Sequence, residues 1–208
     1  MSKLIRWALV LLVLILSCTS FGCGPKKSDS EDAPTAYGKQ VTWDTLELSE
    51  YVELPSYEGR TVAVEEGISR GDAIFSLIVK EANVLRYPEE QVIYYFEQEQ
   101  GRYRYHAAKI GISYEELLTS EGLDEERLME EAKRQTKRDM VFYALADALE
   151  VEITSADRES HYEKYVEKFV ESYGYTEKYV RDHMSEEILE SMRYDKLLEK
   201  LISLNSFS

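Results

Sequence analysis

Residues 124–150 read DEERLMEEAKRQTKRDMVFYALADALE, and this stretch decides the fold class. Its apolar residues return every three or four positions, as they do along one face of a helix. They are Leu128, Ala132, Met140, Val141, Ala144, Leu145, Ala148 and Leu149. The remaining positions are dense in Glu, Lys and Arg, and many of these lie four residues apart, which stabilises an exposed helix face. The pattern predicts one long amphipathic helix from about Asp124 to Glu150.

Start signals on both sides of this helix predict further helices. Ser113 stands three positions before Glu116, which is the spacing of a capping box. Pro88 suits the first turn of a helix over residues 88–109, because the N–H that proline lacks would have no partner there. The predicted starts are Ser69, Pro88, Ser113, Asp124, Thr154 or Ser155, Thr176, and Ser185. We therefore predict an all-α fold of about seven helices over residues 67–208.

Residues 41–66 have a different pattern, in which apolar and polar side chains alternate around Pro55 and Gly59. Alternation with a period of two is typical of extended chain. We predict one or two short extended segments here, centred on residues 47–54 and 61–64.

Residues 1–23 have the composition of a bacterial secretory signal peptide. Lys3 and Arg6 give a positive start, and residues 7–16 (WALVLLVLIL) form an unbroken apolar run. A membrane-spanning helix needs roughly 20 residues, so the run predicts a cleaved signal rather than a permanent anchor. We expect the mature protein to be extracytoplasmic.

The chain's two cysteines, Cys18 and Cys23, lie at the end of this signal. A lipoprotein signal ends in a cysteine whose thiol takes the lipid, and small or apolar residues precede it. Cys18 has Ile15 and Ser17 before it, whereas Cys23 follows Gly22 and leads into a polar stretch. Both remain candidates for lipidation to the cell membrane, and an ordinary cleaved signal is the alternative. Because no cysteine follows residue 23, we expect no disulfide in the folded part.

Residues 24–40 are rich in Ser, Asp, Lys, Pro and Gly, which predicts a disordered tether. The whole chain has a formal net charge of −15 at pH 7. Such acidity argues against binding of nucleic acid or of anionic lipid headgroups, since both require basic surfaces. We expect no nucleic-acid partner, and contact with the membrane only through the N-terminal lipid.

The order of motifs after Tyr87 resembles the carboxy-terminal domain of trigger factor, the bacterial folding chaperone. Residues 111–117 (GISYEEL) match that family's Gly-apolar-Ser/Thr-x-Glu-x-Leu turn before a long charged helix. Residues 148–154 (ALEVEIT) resemble the junction that follows this helix, and Tyr173-Gly174 resembles a Tyr-Gly step between two later helices. The resemblance covers residues 87–205. It implies a chaperone domain whose helical arms bind unfolded polypeptides.

We expect this sequence to lack the other two domains of trigger factor, the ribosome-docking domain and the prolyl isomerase domain. Residues 1–40 are assigned to the signal and the tether, so we expect no ribosome-docking domain and no ribosome partner. The family's FKBP-like prolyl isomerase domain would lie between Val64 and Asp72, which are separated by fewer than ten residues. We therefore expect no isomerase activity.

The residues themselves provide no enzyme motif. His106, His161 and His183 fall on different predicted helices and lack the spacing of a metal site. Residues 24–208 also lack cysteine ligands, a nucleophile elbow and a phosphate-binding glycine loop. With 40 acidic residues in the chain, most carboxylates belong to solvated helix faces. We expect no catalytic residues, no metal and no cofactor.

The 16 tyrosines of the chain point to a binding surface. Tyrosine combines a large apolar face with a hydroxyl that tolerates water, so it suits surfaces that bind many partners. Helix 88–109 carries apolar side chains around most of its circumference, yet one helix buries only one stripe. We expect some of them to line an open cleft, and packing into the core is the alternative for each. The candidate binding residues are Tyr94, Tyr95, Phe96, Tyr103, Tyr105, Tyr162, Tyr165 and Phe169.

These patterns favour a membrane-anchored, extracytoplasmic, chaperone-like protein that binds unfolded or newly exported polypeptides without ATP. The first alternative is a lipoprotein dedicated to one partner in an envelope complex. The second is a prolyl isomerase, which the short spacing between Val64 and Asp72 disfavours. The sequence specifies neither the clients nor the oligomeric state.

Overall fold

Seven α-helices dominate the part of the chain that the structure, a computed structural model, describes, namely residues 40–208. Of these residues 69% are helical and 5% lie in strands, so the predicted all-α class is confirmed. The helices are α1 (Arg70–Glu81), α2 (Glu89–Ile110), α3 (Tyr114–Glu121), α4 (Glu125–Ala148), α5 (Ser155–Tyr173), α6 (Glu177–His183) and α7 (Ser185–Ser203).

Side-chain caps begin most of these helices where the sequence predicts. The Ser113 hydroxyl accepts a hydrogen bond from the Glu116 N–H at 3.1 Å, and the Glu116 carboxylate accepts one from the Ser113 N–H at 2.9 Å. Thr154, not Ser155, caps α5 in the same reciprocal way. The prediction that Ser185 caps α7 is wrong. Met184 holds the cap position without a side-chain bond, and Ser185 is the first helical residue.

Within residues 40–208 there are also four two-residue strands: β1 (Val52–Glu53), β2 (Thr61–Val62), β3 (Asn83–Val84) and β4 (Ser206–Phe207). β1 pairs with β3 in antiparallel fashion, and β2 pairs with β4 in parallel. The segments predicted to be extended therefore contain strands, although residues 48–50 form a 3₁₀ turn. β3 and β4 lie within residues 67–208, which were predicted to be helical throughout, because two-residue strands leave no periodic signal.

The body of the molecule is built from the strands, α1, the end of α4 and the carboxy-terminal half of α7. Its fully buried residues include Ile74, Phe75, Ile78, Met140, Val141, Leu145, Leu197 and Leu201. Gly71 permits the close approach of α1 to α7, because a Cβ there would lie 2.8 Å from the Leu198 Cβ. The carboxy-terminal strand is fixed by Asn205, whose side chain accepts from the Arg60 N–H and donates to the Tyr57 carbonyl.

Two groups of helices extend this body. The first arm consists of α2, α3 and the amino-terminal half of α4, and α2 packs along α4. The second arm consists of α5, α6 and the amino-terminal half of α7. The second arm has a core of its own, formed by Val166, Phe169, Val180, Ile188 and Met192. α4 and α7 thus each run from the body into a different arm.

The predicted signal peptide, the two candidate lipidated cysteines and all but the last residue of the predicted tether lie outside the described residues. Within residues 40–208, no helix combines the length and the apolar character needed to cross a membrane.

Candidate functional site

A cleft of about 570 Å³ lies between α4 and the second arm. Its lining comes from four helices and from the two connections on either side of α6. The residues are Phe75 of α1, Arg138, Asp139 and Phe142 of α4, Lys168, Phe169 and Tyr173 of α5, Tyr175 and Met184 of the connections, and Glu187, Glu190, Ser191, Tyr194 and Asp195 of α7. A volume of this size is typical of a ligand-binding cleft. The lining combines six aromatic rings with charges of both signs.

Aromatic packing forms the floor of the cleft. The rings of Phe75 and Tyr194 meet edge to face, with centroids 5.3 Å apart. Phe142 packs against Tyr194 at 5.8 Å. The Arg138 guanidinium lies 4.8 Å from the centre of the Phe75 ring and donates to the Tyr194 hydroxyl at 2.9 Å. Because Tyr194 in turn donates to Asp72 at 3.2 Å, the floor is a connected and well-fixed surface.

A row of aromatic rings leads from the lining of the cleft to the surface of the second arm. The centroid distances are 5.3 Å from Phe169 to Tyr173, 6.2 Å from Tyr173 to Tyr175, and 4.7 Å from Tyr175 to Tyr179. The His183 ring continues the row at 4.7 Å from Tyr179. We call these five residues the aromatic ladder. Phe169 is buried, whereas Tyr173 is 59% exposed and Tyr175 and Tyr179 are each 44% exposed.

The carboxylates of the cleft are bound mainly by tyrosine hydroxyls. Asp139 accepts from the Tyr95 hydroxyl of α2 and from the Gln135 amide, the latter at 3.2 Å. Burial raises the pKa of Asp139 to about 6, and the negative charge of Glu190 contributes to the rise. Glu190 accepts from the Tyr143 hydroxyl, and burial raises the pKa of Tyr143 well above its usual value.

On the second-arm side, Asp195 accepts from the Tyr165 hydroxyl at 2.7 Å, and the Lys168 ammonium lies 3.9 Å from it. Burial, followed by the bond to Asp195, raises the pKa of Tyr165. The hydroxyl therefore stays protonated at neutral pH and acts as a donor. These groups place four carboxylates and two cations around the cleft.

The structure brings only some of the predicted binding residues to this cleft. Phe169 lines it directly, Tyr95 contacts it through Asp139, and Tyr165 contacts it through Asp195. Tyr162 packs, partly buried, against the core of the second arm. The other predicted residues lie on α2 and do not line the cleft: Tyr94, Phe96, Tyr103 and Tyr105.

Helix α2 nevertheless exposes apolar residues, as its sequence predicts. Ile93 is 47% exposed, Tyr105 71% and Ile110 52%. Ile93 and Tyr105 lie twelve positions apart, which is about 18 Å along the helix, whereas Tyr94 packs on Tyr95 with ring centroids 5.5 Å apart. α2 therefore presents dispersed apolar residues rather than a continuous binding surface.

Sequence reasoning missed most of the aromatic rings that line the cleft or lead into it. Tyr173, Tyr175 and Tyr179 were not among the candidate residues, although the Tyr-Gly-Tyr turn at 173–175 was a local signal that rings gather there. Phe75, Phe142 and Tyr194 have the pattern of core residues, and the packing of three distant helices makes them the floor of the cleft.

A second cavity, of about 700 Å³, lies where residues 43–57 cross α4 and reach Arg193 of α7. Its lining includes the stacked rings of Trp43 and Tyr143, with centroids 5.3 Å apart, but Trp43 is buried, so this pair is not an exposed row like the aromatic ladder. Across residues 40–208, no three metal-ligating side chains come together. His106, His161 and His183 belong to α2, α5 and α6 respectively.

Comparison with known proteins returned no match: no family model, no curated protein and no solved structure corresponds to this chain. The resemblance to trigger factor is therefore carried by the quoted motifs alone and stays a prediction.

Proposed function

We propose that this protein is a membrane-anchored, extracytoplasmic, chaperone-like protein that binds unfolded or newly exported polypeptides without ATP. The observation that supports it best is the aromatic ladder. Large rings remain exposed in a row that leads into a cleft, where an apolar segment of an unfolded chain can cover them. Exposed apolar surface of this continuity marks interaction sites in soluble proteins.

The balance of apolar and charged surface fits such a role. Tyrosine side chains lose little conformational freedom on contact and keep a hydroxyl in water, so they bind varied partners weakly and reversibly. The net charge of −15 makes copies of the protein repel one another, which counters self-association through the exposed rings. Selection of clients then depends on their exposed apolar side chains rather than on one sequence.

The test is an aggregation assay with the chain from residue 24 onward, which includes every described residue. At an equimolar ratio to a chemically unfolded client, the protein is expected to slow the rise of light scattering. The triple variant Tyr173→Ser, Tyr175→Ser, Tyr179→Ser is expected to lose most of this activity. No effect of the wild-type protein on aggregation would contradict the proposal.

A matched control variant removes exposed apolar side chains from α2 instead of from the aromatic ladder. Ile93→Ser, Tyr105→Ser, Ile110→Ser takes three exposed apolar residues from α2, outside the cleft. This variant is expected to protect the client as well as the wild type does. If it loses activity while the ladder variant keeps it, the binding site lies on α2 and the cleft is not the site.

The alternatives from the sequence give different results in simple experiments. A dedicated partner-binding lipoprotein would recover one stoichiometric protein from a cell envelope extract, and a chaperone-like protein recovers a spectrum of unfolded chains. Catalysis of a proline-limited refolding reaction would support the isomerase alternative.

Mass spectrometry of the mature amino terminus tests the anchor, because a lipid is expected on Cys23 or Cys18. An unmodified terminus would remove the anchor from the proposal.

A further inference from the structure

Asp139 occupies an unusual position for a carboxylate, since it faces the cleft from the middle of α4 and is only partly exposed. The Tyr95 hydroxyl reaches it from α2 and the Gln135 amide from the preceding turn of α4. Both are neutral donors. Within residues 40–208 Asp139 forms no ion pair.

The cations near Asp139 are directed to other groups. Arg138 lies over the Phe75 ring and donates to Tyr194. Lys168 of α5 lies beside Asp195. The charged and titratable groups that surround Asp139 are Tyr95 from α2, Arg138 and Tyr143 from α4, Glu190, Glu187, Tyr194 and Asp195 from α7, and Lys168 from α5.

Two effects on Asp139 oppose each other, and the larger one favours the protonated acid. The hydrogen bonds from Tyr95 and Gln135 and the charge of Arg138 stabilise the carboxylate. Burial and the charge of Glu190 disfavour it, and the net result is a pKa of about 6. Asp139 is therefore ionised at neutral pH and gains a proton under mildly acidic conditions.

We propose that the cleft binds an apolar polypeptide segment together with a proton, which Asp139 takes up when the segment covers it. The inference rests on the proposed binding of clients. A segment that fills the cleft removes the water that remains around Asp139, and a carboxylate without water or a counter-ion is strongly disfavoured. The neutral acid forms in its place, and its bonds from Tyr95 and Gln135 remain possible.

Linkage then requires that mild acid strengthens binding. If covering Asp139 raises its pKa by one unit, the affinity for a neutral segment is about tenfold higher at a pH well below the titration of Asp139 than at a pH well above it. The sign is fixed, since a ligand whose binding takes up a proton binds more tightly where protons are abundant. The site would hold clients more firmly in acidic surroundings and release them as the pH rises.

The experiment uses the chain from residue 24 onward and a capped, fluorophore-labelled peptide of Leu, Phe and Ser, which has no titratable side chain. Affinity is measured by anisotropy between about pH 5 and about pH 7.5, and the wild type is expected to bind about tenfold more tightly at the lower value. Calorimetry near neutral pH, in two buffers of different ionisation enthalpy, is expected to show net proton uptake on binding. Zero uptake in a protein that binds the peptide would overturn the inference.

Three variants assign the proton. Asp139→Asn is neutral at every pH and is expected to bind tightly throughout, with the pH dependence lost. Glu190→Gln removes the nearby negative charge and is expected to move the transition to lower pH. Asp147→Asn, a control at an exposed position of α4 that does not line the cleft, is expected to keep the wild-type profile.

The outcomes separate this inference from the proposed function. Peptide binding that does not vary with pH in the wild type would overturn proton coupling and leave client binding intact. A pH profile that Asp139→Asn retains, or that Asp147→Asn loses, would overturn the assignment to Asp139. Absence of binding at every pH would contradict the proposed function, and this inference with it.

Discussion

The body and the second arm share helix α7 but have separate cores of unequal size. The body core contains 15 buried residues, among them Leu197 and Leu201 from the carboxy-terminal half of α7. The core of the second arm contains five, among them Ile188 and Met192 from the other half. Because stability grows with the apolar surface that is buried, one end of α7 is held much more firmly than the other.

This difference places the aromatic ladder on the less stable part of the molecule. Regions with few buried apolar contacts open at lower free energy than the global fold, and binding elements are commonly found there. The floor of the cleft belongs to the body, through Phe75 and Tyr194, and its other wall belongs to the second arm. The larger core therefore holds the floor, and the wall lies on the part of the molecule that is expected to open at lower free energy.

Leu197→Ala is expected to have the largest effect on stability. Leu197 is fully buried in the body, and removal of a buried leucine side chain costs about 2–5 kcal/mol. Because the body supports both arms, chemical denaturation should show one transition that moves to lower denaturant concentration for the whole protein. Loss of signal from the second arm alone would show that the two cores are not divided as described.

Ile188→Ala makes the same kind of cavity in the other half of α7, where Ile188 is also fully buried. Here the expected effect is local opening rather than global unfolding. Hydrogen exchange should quicken in α5 and α6 by about tenfold or more, while amides of α1 keep their protection. Equal loss of protection in α1 would mean that body and arm unfold as one unit.

Asp139→Asn is expected to stabilise the protein at neutral pH by about 3 kcal/mol. Burial raises the pKa of Asp139 from 3.8 to about 6, so the folded state holds the proton more tightly than the unfolded chain does. Ionisation therefore lowers stability as the pH rises from about 4 to about 6, and the loss persists above that range. Asparagine avoids this loss, because it carries no charge.

The free energy of unfolding of the wild type and of Asp139→Asn is measured by chemical denaturation, once at about pH 7 and once near pH 4. The variant should be more stable than the wild type at the higher pH, and the two should converge at the lower one. A variant that is less stable at both values would show that the charge of Asp139 contributes favourably to the fold.

Local signals predicted the helices well because each was contained in a few residues. The capping box of Ser113 and Glu116 forms as its spacing predicts, and Gly111 and Gly122 end α2 and α3 in left-handed conformations. The Thr154 cap is also local. Ser185 failed as a cap because the Met184 carbonyl accepts the first helical hydrogen bond, from the Ile188 N–H at 3.0 Å, which makes Ser185 the first residue of α7.

The cleft could not be predicted in the same way, since it depends on contacts between distant parts of the chain. Phe75 and Tyr194 meet across 119 positions, and nothing in the local pattern of either distinguishes it from an ordinary core residue. The parallel pairing of β2 with β4 likewise joins residues that are 145 positions apart, such as Thr61 and Ser206. Composition drew attention to the tyrosines, but only the packing shows which of them stack.

Tyr175→Ser is expected to have the smallest effect on stability. Tyr175 lies in the turn between α5 and α6 and is 44% exposed, so its removal should change the free energy of unfolding by less than about 1 kcal/mol. Its ring joins Tyr173 to Tyr179, and without it the ladder is divided into two shorter parts. Client binding in the aggregation assay should therefore weaken while the denaturation midpoint hardly moves.

Tyr105→Ser, at the most exposed tyrosine of α2, is the control expected to leave both measurements unchanged. If Tyr175→Ser lowers stability as much as Ile188→Ala does, the ladder is part of the core of the second arm and is not a surface kept free for clients.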